Sequence, residues 1–498
     1  MIPIKLVKVG KWMLFNSYIF ILLFLPVSVI GYYVLSGIHD TAGKIWFIAG
    51  GILFYLYAGS EAAAVFGISI LFNLAASFLI QNGRKKDLIL GIAIAVNIVL
   101  LFHYKYFNFA ASNFHAILHK ETEYESRNIL LPLGISFFTF QQISWLISCS
   151  RKQETKSAGN WILDYLTFIL YFPKLIMGPL MEPDDFIGQI NDPARKKVNW
   201  DHIAAGLKLF CFGLFKKLII ADTFAGGVSW GFHHIEEATA MDWILISFFY
   251  TFEIYFDFSG YCDMATGVSA MFNIDLPINF DSPYKALSIR DFWKRWHMTL
   301  TGFLTKNVYI PLGGSKKGTA RTYVNTMIVF LVSGIWHGAN WTFILWGILH
   351  GLLSIWDRVF EKTQKKLPET VRWITTFSAV NILWLLFRSE SAAQFLFILK
   401  TMVFMWNTSI SRGLINCFVL PESTFLQNLF HLPGPAYSIR GFWLLLFTAA
   451  AFLLCLVPEN NYRTREKNSL LTLFGAIVCF LWAFLCISSE SVFVYYNF

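Results

Sequence analysis

The first long apolar run of the chain is MLFNSYIFILLFLPVSVIGYYVLS, residues 13–36, and it contains no acidic or basic side chain. A helix needs roughly 20 apolar residues to cross about 30 Å of hydrocarbon, so this run alone is long enough to span a bilayer. Lys5, Lys8 and Lys11 precede it as in a signal peptide, but no small-residue cleavage site follows, so we expect a first membrane helix. Met13 is an alternative start to Met1, because the residues before it fit poorly with the run.

Apolar blocks recur along the chain, which is 56% hydrophobic and 14% charged, against roughly 45–50% and 25% in a soluble domain. Several blocks are too short to span, so we predict about ten to twelve crossings, with the rest tilted or re-entrant. The chain, 1–498, is predicted to be a single all-α polytopic domain in the lipid bilayer. The further blocks lie at roughly 45–58, 60–80, 88–109, 129–149, 161–180, 203–223, 241–258, 322–336, 341–357, 373–387, 391–406, 441–457 and 468–487.

The net charge of +9 comes from short basic clusters between the apolar blocks. This is the distribution that the positive-inside rule expects of cytoplasmic loops, so nucleic acid is not an expected partner. Segments 227–242 and 413–436 contain no Lys or Arg and are predicted outside, and the same alternation places both termini outside. The predicted cytoplasmic segments are 84–86, 151–156, 285–321, 358–372 and 463–467.

The cysteines give no sign of a disulfide framework or a metal site. They are odd in number, lie mostly inside apolar blocks, form no CxxC pair and lack the histidine spacing of a zinc site. We therefore predict neither disulfides nor a bound metal. The seven positions are 149, 211, 262, 417, 455, 479 and 486.

Between about 257 and 341 the sequence stops resembling simple spanning helices, and Pro277 and Pro283 break any long helix there. Ser288 is a predicted N-cap, with Asp291 three residues later. Apolar and basic side chains follow at helical spacing, which predicts an amphipathic helix at the cytoplasmic membrane surface. A lipid-facing anchor is the alternative to a functional role. The residues concerned are Phe292, Trp293, Trp296, Leu300 and Phe303 beside Arg290, Lys294 and Arg295.

The segment VYIPLGGSKKG, residues 308–318, predicts an irregular glycine turn flanked by Lys316 and Lys317. Glycine backbone and lysine together are suited to phosphate groups, such as those of a coenzyme A donor. The same residues also describe an ordinary cytoplasmic loop, so both interpretations stay open.

His337 lies in VFLVSGIWHGANWTFILW, residues 329–346, where polar groups enter an apolar helix. Polar groups in lipid are costly unless they are paired or face a cavity, so such residues indicate function. With an ordinary pKa of about 6.5, histidine can accept a hydroxyl proton near neutral pH, as acyl transfer requires. Asn340 is predicted to share a helical face with His337, Trp336 and Trp341 to wall a cavity, and Asn340 or an indole N–H to stabilise the oxyanion. The alternative is a histidine that joins two helices.

Other polar residues in apolar surroundings are weaker candidates. His350 follows thirteen residues after His337 and is predicted to be a packing or hydrogen-bonding histidine. Glu253, Asp257 and Asp263 are candidates for a second polar cluster that orients a histidine.

Seven motifs in order make the chain resemble the membrane-bound O-acyltransferase family, specifically its bacterial branch with the alginate O-acetylation proteins. They are concentrated in the region 250–351 but extend almost from end to end. The motifs are MLFNSYIFILLFLP at 13–26, PLGISFFTFQQIS at 132–144, YFDFSGYCDMATGVSAMF at 255–272, NFDSPY at 279–284, DFWKRWHMTL at 291–300, YIPLGG at 309–314 and WHGANWTFILWGILHG at 336–351.

The resemblance implies a ring of tilted helices around a thinned central funnel in a bacterial cytoplasmic membrane. It implies that His337 is the catalytic residue, His297 the second site residue and an acetyl thioester such as acetyl-CoA the donor. A secreted or membrane-tethered acetyltransferase partner is expected to complete transfer to a polysaccharide. The closing FVYYNF, 493–498, resembles an aromatic tail in which Tyr495 is a candidate acyl relay, although an interface anchor is the simpler interpretation.

One stretch departs from the family pattern, because TGFLTKNVYIPLGG replaces the usual SxWLRDYLYIPLGG. The change puts Thr305, Lys306 and Asn307 where an Arg-Asp pair and a tyrosine are usual, so donor contacts through Lys306, Lys316 and Lys317 are expected to differ. Two other functions stay open. D-alanyl transfer to teichoic acid is related chemistry, whereas a transporter would show repeated halves that this sequence lacks.

Overall fold

The computed structural model describes residues 13–83, 85–118, 124–151, 158–418, 428–431, 437–467, 469–487 and 493. Helices dominate this part of the chain, and no β-strand occurs in it. The predicted all-α class is therefore confirmed. Residues 1–12 lie outside the described residues, so the choice between Met1 and Met13 stays a prediction.

Several helices are apolar and long enough for a membrane. Four could cross one by length and composition, namely Phe20–Ile38, Ser60–Asn82, Lys86–Ile117 and Glu369–Arg388. Shorter apolar helices in the described residues are Asn160–Leu170, Ala392–Phe404, Gly441–Leu456 and Leu470–Leu485. The polytopic membrane class is confirmed, whereas the predicted number of crossings and the central funnel stay predictions.

The chain divides into two compact units, and the first comprises residues 1–214, 261–278 and 465–498. Aromatic rings fill its interior; for example, the Phe24 and Phe172 ring centroids lie 5.0 Å apart. Its helices are Phe20–Phe24, a π-helical turn, then Leu25–Ile38, Asp40–Leu56, Ser60–Asn82, Lys86–Leu101, the π-turn Phe102–Tyr106, Phe107–Ile117, Ile135–Arg151, Ala158–Leu170, Phe172–Leu175, Pro183–Asn191, the 3-10 turn Pro193–Lys196, Trp200–Phe215 and Leu470–Leu485.

The second unit comprises residues 215–260 and 279–464 and carries most of the motif region. The predicted single domain is not tested by this division. The helices of the second unit are the π-turn Lys216–Ala221, then Asp222–His233, the 3-10 turn Pro283–Lys285, Ile289–Arg295, Met298–Leu304, the π-turn Thr305–Tyr309, Thr319–His337, Trp341–Val359, Glu361–Gln364, Glu369–Arg388, Ala392–Phe404, Arg412–Asn416, Tyr437–Leu456 and Asn461–Thr464.

Helix Ala240–Met271 begins in the second unit and ends in the first. The expectation that regular helix stops near residue 257 is wrong, because this helix continues for 32 residues through the polar FSGYCDM segment. Its polar side chains are buried against protein; the hydroxyl groups of Ser269 and Tyr171, for example, lie 2.8 Å apart. A helix with such internal partners does not need a uniformly apolar sequence.

Segments predicted to be cytoplasmic contact one another at one end of the second unit, which we name the inner end. Arg290 bonds Glu361 through a 3.2 Å contact, and Lys285 donates to the Pro458 carbonyl at 2.8 Å. The hydrogen bond from Lys365, together with Arg290, lowers the pKa of the Glu361 carboxyl below its ordinary value.

Segment 227–242, which is predicted to be outside, contacts residues just before segment 413–436, and we name this end of the second unit the outer end. The Thr239 hydroxyl donates to the Ser409 carbonyl at 2.7 Å, and Asp242 accepts from the Ser411 amide at 2.9 Å. The Arg388 guanidinium lies 4.5 Å from the centroid of the Phe232 ring. The predicted orientation of these segments in the membrane stays a prediction.

Candidate active site

The candidate site is built on the hairpin of helices Thr319–His337 and Trp341–Val359 in the second unit. The two helices approach closely because Gly334 faces the Phe343 carbonyl and Gly347 faces the Phe330 carbonyl, leaving no room for a side chain. Close backbone approach through small residues is a common way to join helices in membranes. The hairpin therefore gives His337 a rigid base.

His337 is the last residue of the first hairpin helix, and Gly338 follows in extended conformation. A side chain at Gly338 would collide with the Phe343 ring, so the turn after His337 needs glycine. Asn340 caps the second helix by accepting from the Thr342 amide, and its own amide donates to the Glu390 carbonyl at 2.8 Å. The expectation that His337 and Asn340 share a helical face is wrong, because the helix ends between them.

Aromatic rings surround the His337 imidazole, which is 4% exposed. Its ring centroid lies 5.3 Å from Trp346, 5.2 Å from Phe387 and 5.0 Å from Trp336. All three rings stand nearly edge-on to the imidazole. This arrangement excludes water and limits rotation of the side chain.

His297 is held in a different way. Its backbone is left-handed, with φ 44° and ψ 51°, a conformation that is uncommon for residues other than glycine and is concentrated at functional sites. Its Nδ1 lies 3.1 Å from Asn279 Oδ1. The same oxygen accepts from the Thr299 amide at 3.2 Å and the Thr299 hydroxyl at 2.9 Å.

These contacts assign the tautomer of His297. The Thr299 amide can only donate, so the Asn279 atom that faces it must be oxygen, and an amide oxygen only accepts. His297 Nδ1 therefore carries the proton in the neutral ring, and Nε2 has the lone pair. His297 is thus prepared to accept a proton or a hydrogen bond at Nε2.

The two histidines contact the same indole. The Trp336 ring centroid lies 6.1 Å from that of His297 and 5.0 Å from that of His337. The Phe258 ring also packs against His297, and the two ring centroids lie 4.8 Å apart. The structure therefore brings His297 to Trp336 and His337, which follow it by about 40 residues in the sequence.

His350 lies behind the site and is fully buried. The Trp293 indole N–H donates to His350 Nδ1 at 3.2 Å, which confirms the prediction of a hydrogen-bonding histidine. Trp346 lies between the two imidazoles, with its centroid 5.3 Å from His337 and 4.7 Å from His350. The packing from Trp293 to His337 is continuous.

The predicted amphipathic helix forms only in part. Ser288 accepts from the Asp291 amide at 3.1 Å, so the predicted N-cap is confirmed. The helix ends at Arg295 and restarts at Met298, because His297 adopts the left-handed conformation. The lipid-anchor alternative is wrong, since its apolar side chains are buried within the second unit. These buried residues are Phe292, Trp293, Trp296 and Leu300.

The remaining predicted residues that the structure describes are more exposed than the two histidines. Trp341 is 55% exposed, and Lys316 and Lys317 are exposed in the glycine turn, whose Gly314 carbonyl accepts from Asn325 at 2.9 Å. Lys306 is half-buried in the π-turn. Tyr495 lies outside the described residues, so its relay role stays a prediction.

The expectation that three acids form a polar cluster that orients a histidine stays a prediction. Asp263 belongs to the first unit, whereas Glu253 and Asp257 belong to the second. Asp257 Oδ1 pairs with Lys217 Nζ at 2.7 Å. Sequence reasoning missed Lys217, although a lysine inside the apolar block 203–223 is itself a signal that a buried carboxylate is nearby.

Asn279 was also missed as a site residue. It opens the NFDSPY motif, but nothing in that motif indicates which histidine it contacts. Only the fold places it at His297. No group of three or more His, Cys, Asp or Glu able to hold a metal occurs among the residues that the structure describes.

Comparisons with known proteins agree on one family. The sequence pattern of the membrane-bound O-acyltransferase family matches residues 93–399, which include both histidines of the site. A peptidoglycan O-acetyltransferase of Helicobacter pylori is 34% identical over 98% of this chain and 98% of its own length. A probable alginate O-acetylase of Pseudomonas putida is 34% identical over 76% of this chain and 78% of its own.

A teichoic acid D-alanyltransferase of Bacillus subtilis is also similar, but it is 27% identical over 53% of this chain and 68% of its own length. The sequence is thus more similar to the two O-acetylating proteins than to this one. The predicted resemblance is confirmed.

Proposed function

This chain belongs to the membrane-bound O-acyltransferase family and is an O-acyltransferase, and on that premise we propose that it acetylates an exported or cell-surface polysaccharide. The observation that carries the proposal is the pair of buried histidines, His297 and His337, packed against Trp336. The names of its relatives favour peptidoglycan or a similar glycan as the acceptor.

In the proposed reaction an acceptor hydroxyl attacks the carbonyl carbon of an acetyl thioester. His337 removes the hydroxyl proton as the new C–O bond forms, and it returns that proton to the thiolate as the C–S bond breaks. His297 accepts, at its Nε2, a hydrogen bond from a donor group of the reacting molecules. The attacking hydroxyl belongs to the sugar or to a partner protein that passes the acetyl group on.

The proposed donor is acetyl-CoA, entering from the inner end. Lys316 and Lys317 stand exposed in a turn where Gly313, Gly314 and Gly318 have positive φ, and such backbone with nearby lysines suits phosphate groups. Lys306, in place of the usual aspartate, adds a further positive charge at the start of this segment. Asn307 donates back to the Phe303 carbonyl at 3.0 Å and so serves its own helix.

The proposed location is the cytoplasmic membrane of a bacterium, with the acetyl group leaving at the outer end. A secreted or membrane-tethered acetyltransferase is the proposed partner for the last step. Tyr495 of this chain is the proposed relay for the acyl group. The acidic outer loops and basic inner loops support this direction of transfer.

Replacing His337 with alanine in the living cell tests the proposal. Because a general base contributes about 10²–10⁴-fold, we expect acetyl groups on the surface glycan to fall below detection, while the protein is inserted at the normal level. The matched control is His233→Ala, which removes an exposed histidine near the outer end. Glycan acetylation that persists in His337→Ala would contradict the catalytic assignment.

A further inference from the structure

The segment that follows helix Tyr437–Leu456 makes contacts that the proposed reaction does not use. We name residues 457–464 the inner strap, because they lie at the inner end of the second unit. Lys285 Nζ donates to the Pro458 carbonyl at 2.8 Å. The strap closes with the short helix Asn461–Thr464. It is thereby held against the segment that leads into helix Ile289–Arg295.

Two side chains of the inner strap bind the residues that follow Asn279. The Asn460 amide donates to the Phe280 carbonyl at 2.7 Å. The Arg463 guanidinium makes two hydrogen bonds to the Asp281 carboxylate, from Nε to Oδ1 at 3.0 Å and from Nη2 to Oδ2 at 2.6 Å. A guanidinium that binds both oxygens of a carboxylate fixes the orientation of its partner as well as the distance. The strap therefore fixes the chain immediately after Asn279.

The segment that the strap fixes also supports His297. The Asp281 amide donates to the Arg295 carbonyl at 2.9 Å, and the Met298 amide donates to the Asn279 carbonyl at 2.9 Å. These two bonds lie on either side of His297, whose left-handed backbone separates the helices there. The side chain of Asn279 accepts from the imidazole at Nδ1. A continuous series of contacts therefore joins the inner strap to the imidazole.

The support is buried on one side and open on the other. Phe280 is 5% exposed, and its ring centroid lies 4.9 Å from that of Trp296 and 5.0 Å from that of Phe258. On the open side the Arg463 side chain is 64% exposed and that of Asp281 is 19% exposed. An exposed ion pair contributes little to the stability of a whole protein. The effect of this pair is therefore local, on the segment that it orients.

We propose that the inner strap positions His297 for the reaction. By fixing segment 279–281 through Asn460 and Arg463, it keeps the imidazole proton at Nδ1 and the lone pair at Nε2. Asn279 holds that proton only while its side-chain oxygen stays in line with Nδ1–H, because hydrogen bonds weaken steeply away from linear geometry. Asn460 and Arg463 act through Asn279 and are positioning residues. This inference rests on the proposed function, in which His297 accepts a hydrogen bond at Nε2.

The tautomer of His297 tests the inference without any acyl transfer. Purified full-length protein with ¹⁵N-labelled histidine is measured in lipid nanodiscs by NMR, at a pH at which the imidazole is neutral. The signals of His297 are those that His297→Gln lacks. We expect the proton at Nδ1 in the wild type and a mixture of both tautomers in Arg463→Met. Arg463→Lys keeps a charged donor for Asp281 and should restore the wild-type pattern.

Lys365→Met is the matched control. It breaks the ion pair of Lys365 with Glu361, which also lies at the inner end, and the Lys365 side chain is 64% exposed, as that of Arg463 is. We expect this variant to keep the wild-type tautomer of His297, because no contact of the pair reaches segment 279–281 among the residues that the structure describes.

Initial rates give a second measurement. The loss of an exposed ion pair corresponds to a factor of about five at most. The kcat of Arg463→Met should therefore fall by up to about fivefold, with the KM for acetyl-CoA unchanged, and Lys365→Met should keep the wild-type kcat. Asn460→Leu removes the donor to the Phe280 carbonyl and should have the same effect as Arg463→Met. It carries the prediction if Arg463→Met is not recovered folded.

The two measurements separate this inference from the proposed function. A changed tautomer in Arg463→Met, beside a wild-type protein that transfers no acetyl group, would support the positioning role and remove the proposed function. The wild-type tautomer in both Arg463→Met and Asn460→Leu would overturn the positioning role at any rate of transfer. An equal fall in kcat in Lys365→Met would also overturn it, because any ion pair of the inner end would then have the same effect.

Discussion

The hairpin that holds His337 and the glycine turn that precedes it are neighbours in sequence, but they hold their functional side chains in opposite ways. His337 is 4% exposed and enclosed by aromatic rings, whereas Lys316 and Lys317 project from the turn into open surroundings. A buried group has one orientation and cannot exchange its contacts for water. Substitutions in the hairpin region should therefore change turnover, and those in the turn should change donor binding alone.

The largest effect that sharpens this comparison is expected at Asn279. Asn279→Leu removes the acceptor for His297 Nδ1–H and for Thr299, so kcat should fall by about tenfold to 100-fold. Asn279→Asp keeps an acceptor in the same place and should retain most of the activity. Initial rates with purified protein measure both. Equal losses in the two variants would mean that Asn279 has only a structural role.

A smaller effect is expected behind the site. Trp293→Phe keeps an aromatic ring but removes the N–H that donates to His350. Because an ordinary hydrogen bond contributes roughly 0.5–1.5 kcal/mol, kcat should fall about twofold to tenfold with KM for the donor unchanged. The kinetic constants for acetyl-CoA measure the difference. A change confined to KM would show that the packing from Trp293 to His337 does not affect catalysis.

The smallest effect is expected in the turn. Lys316→Ala combined with Lys317→Ala should raise the KM for acetyl-CoA severalfold, leave kcat unchanged and reduce the salt dependence of the KM, because exposed charges are screened by salt. Lys294→Ala, an exposed lysine of the preceding helix, is the matched control. A fall in kcat in the double variant would break the distinction between the two regions.

The membrane class was predictable because it depends on composition and on block length alone. The hairpin helices Thr319–His337 and Trp341–Val359 begin and end within a few residues of the predicted blocks. Helix Ala240–Met271 was cut short in the prediction, because its polar second half is stabilised by partners distant in sequence. Local hydropathy carries no information about such partners.

The site was predictable only as far as residue type allowed. His297 and His337 were chosen from their motifs, and the fold brings both to Trp336. The left-handed backbone of His297 and its hydrogen bond to Asn279 depend on contacts across eighteen residues of chain. The predicted blocks 322–336 and 341–357 already separate around Gly338, but the requirement for glycine there comes from the Phe343 ring, which the sequence alone does not place beside it.

The most direct measurement of the central claim is acetyl transfer by the purified protein. Wild type and His337→Ala in lipid nanodiscs are supplied with radiolabelled acetyl-CoA and a peptidoglycan-derived oligosaccharide, with the proposed partner added where it is required. Acetylated oligosaccharide should form with wild type and fall by about 10²-fold or more with His337→Ala, at equal thermal stability. Equal rates for the two proteins would contradict the assignment of His337 as the catalytic base.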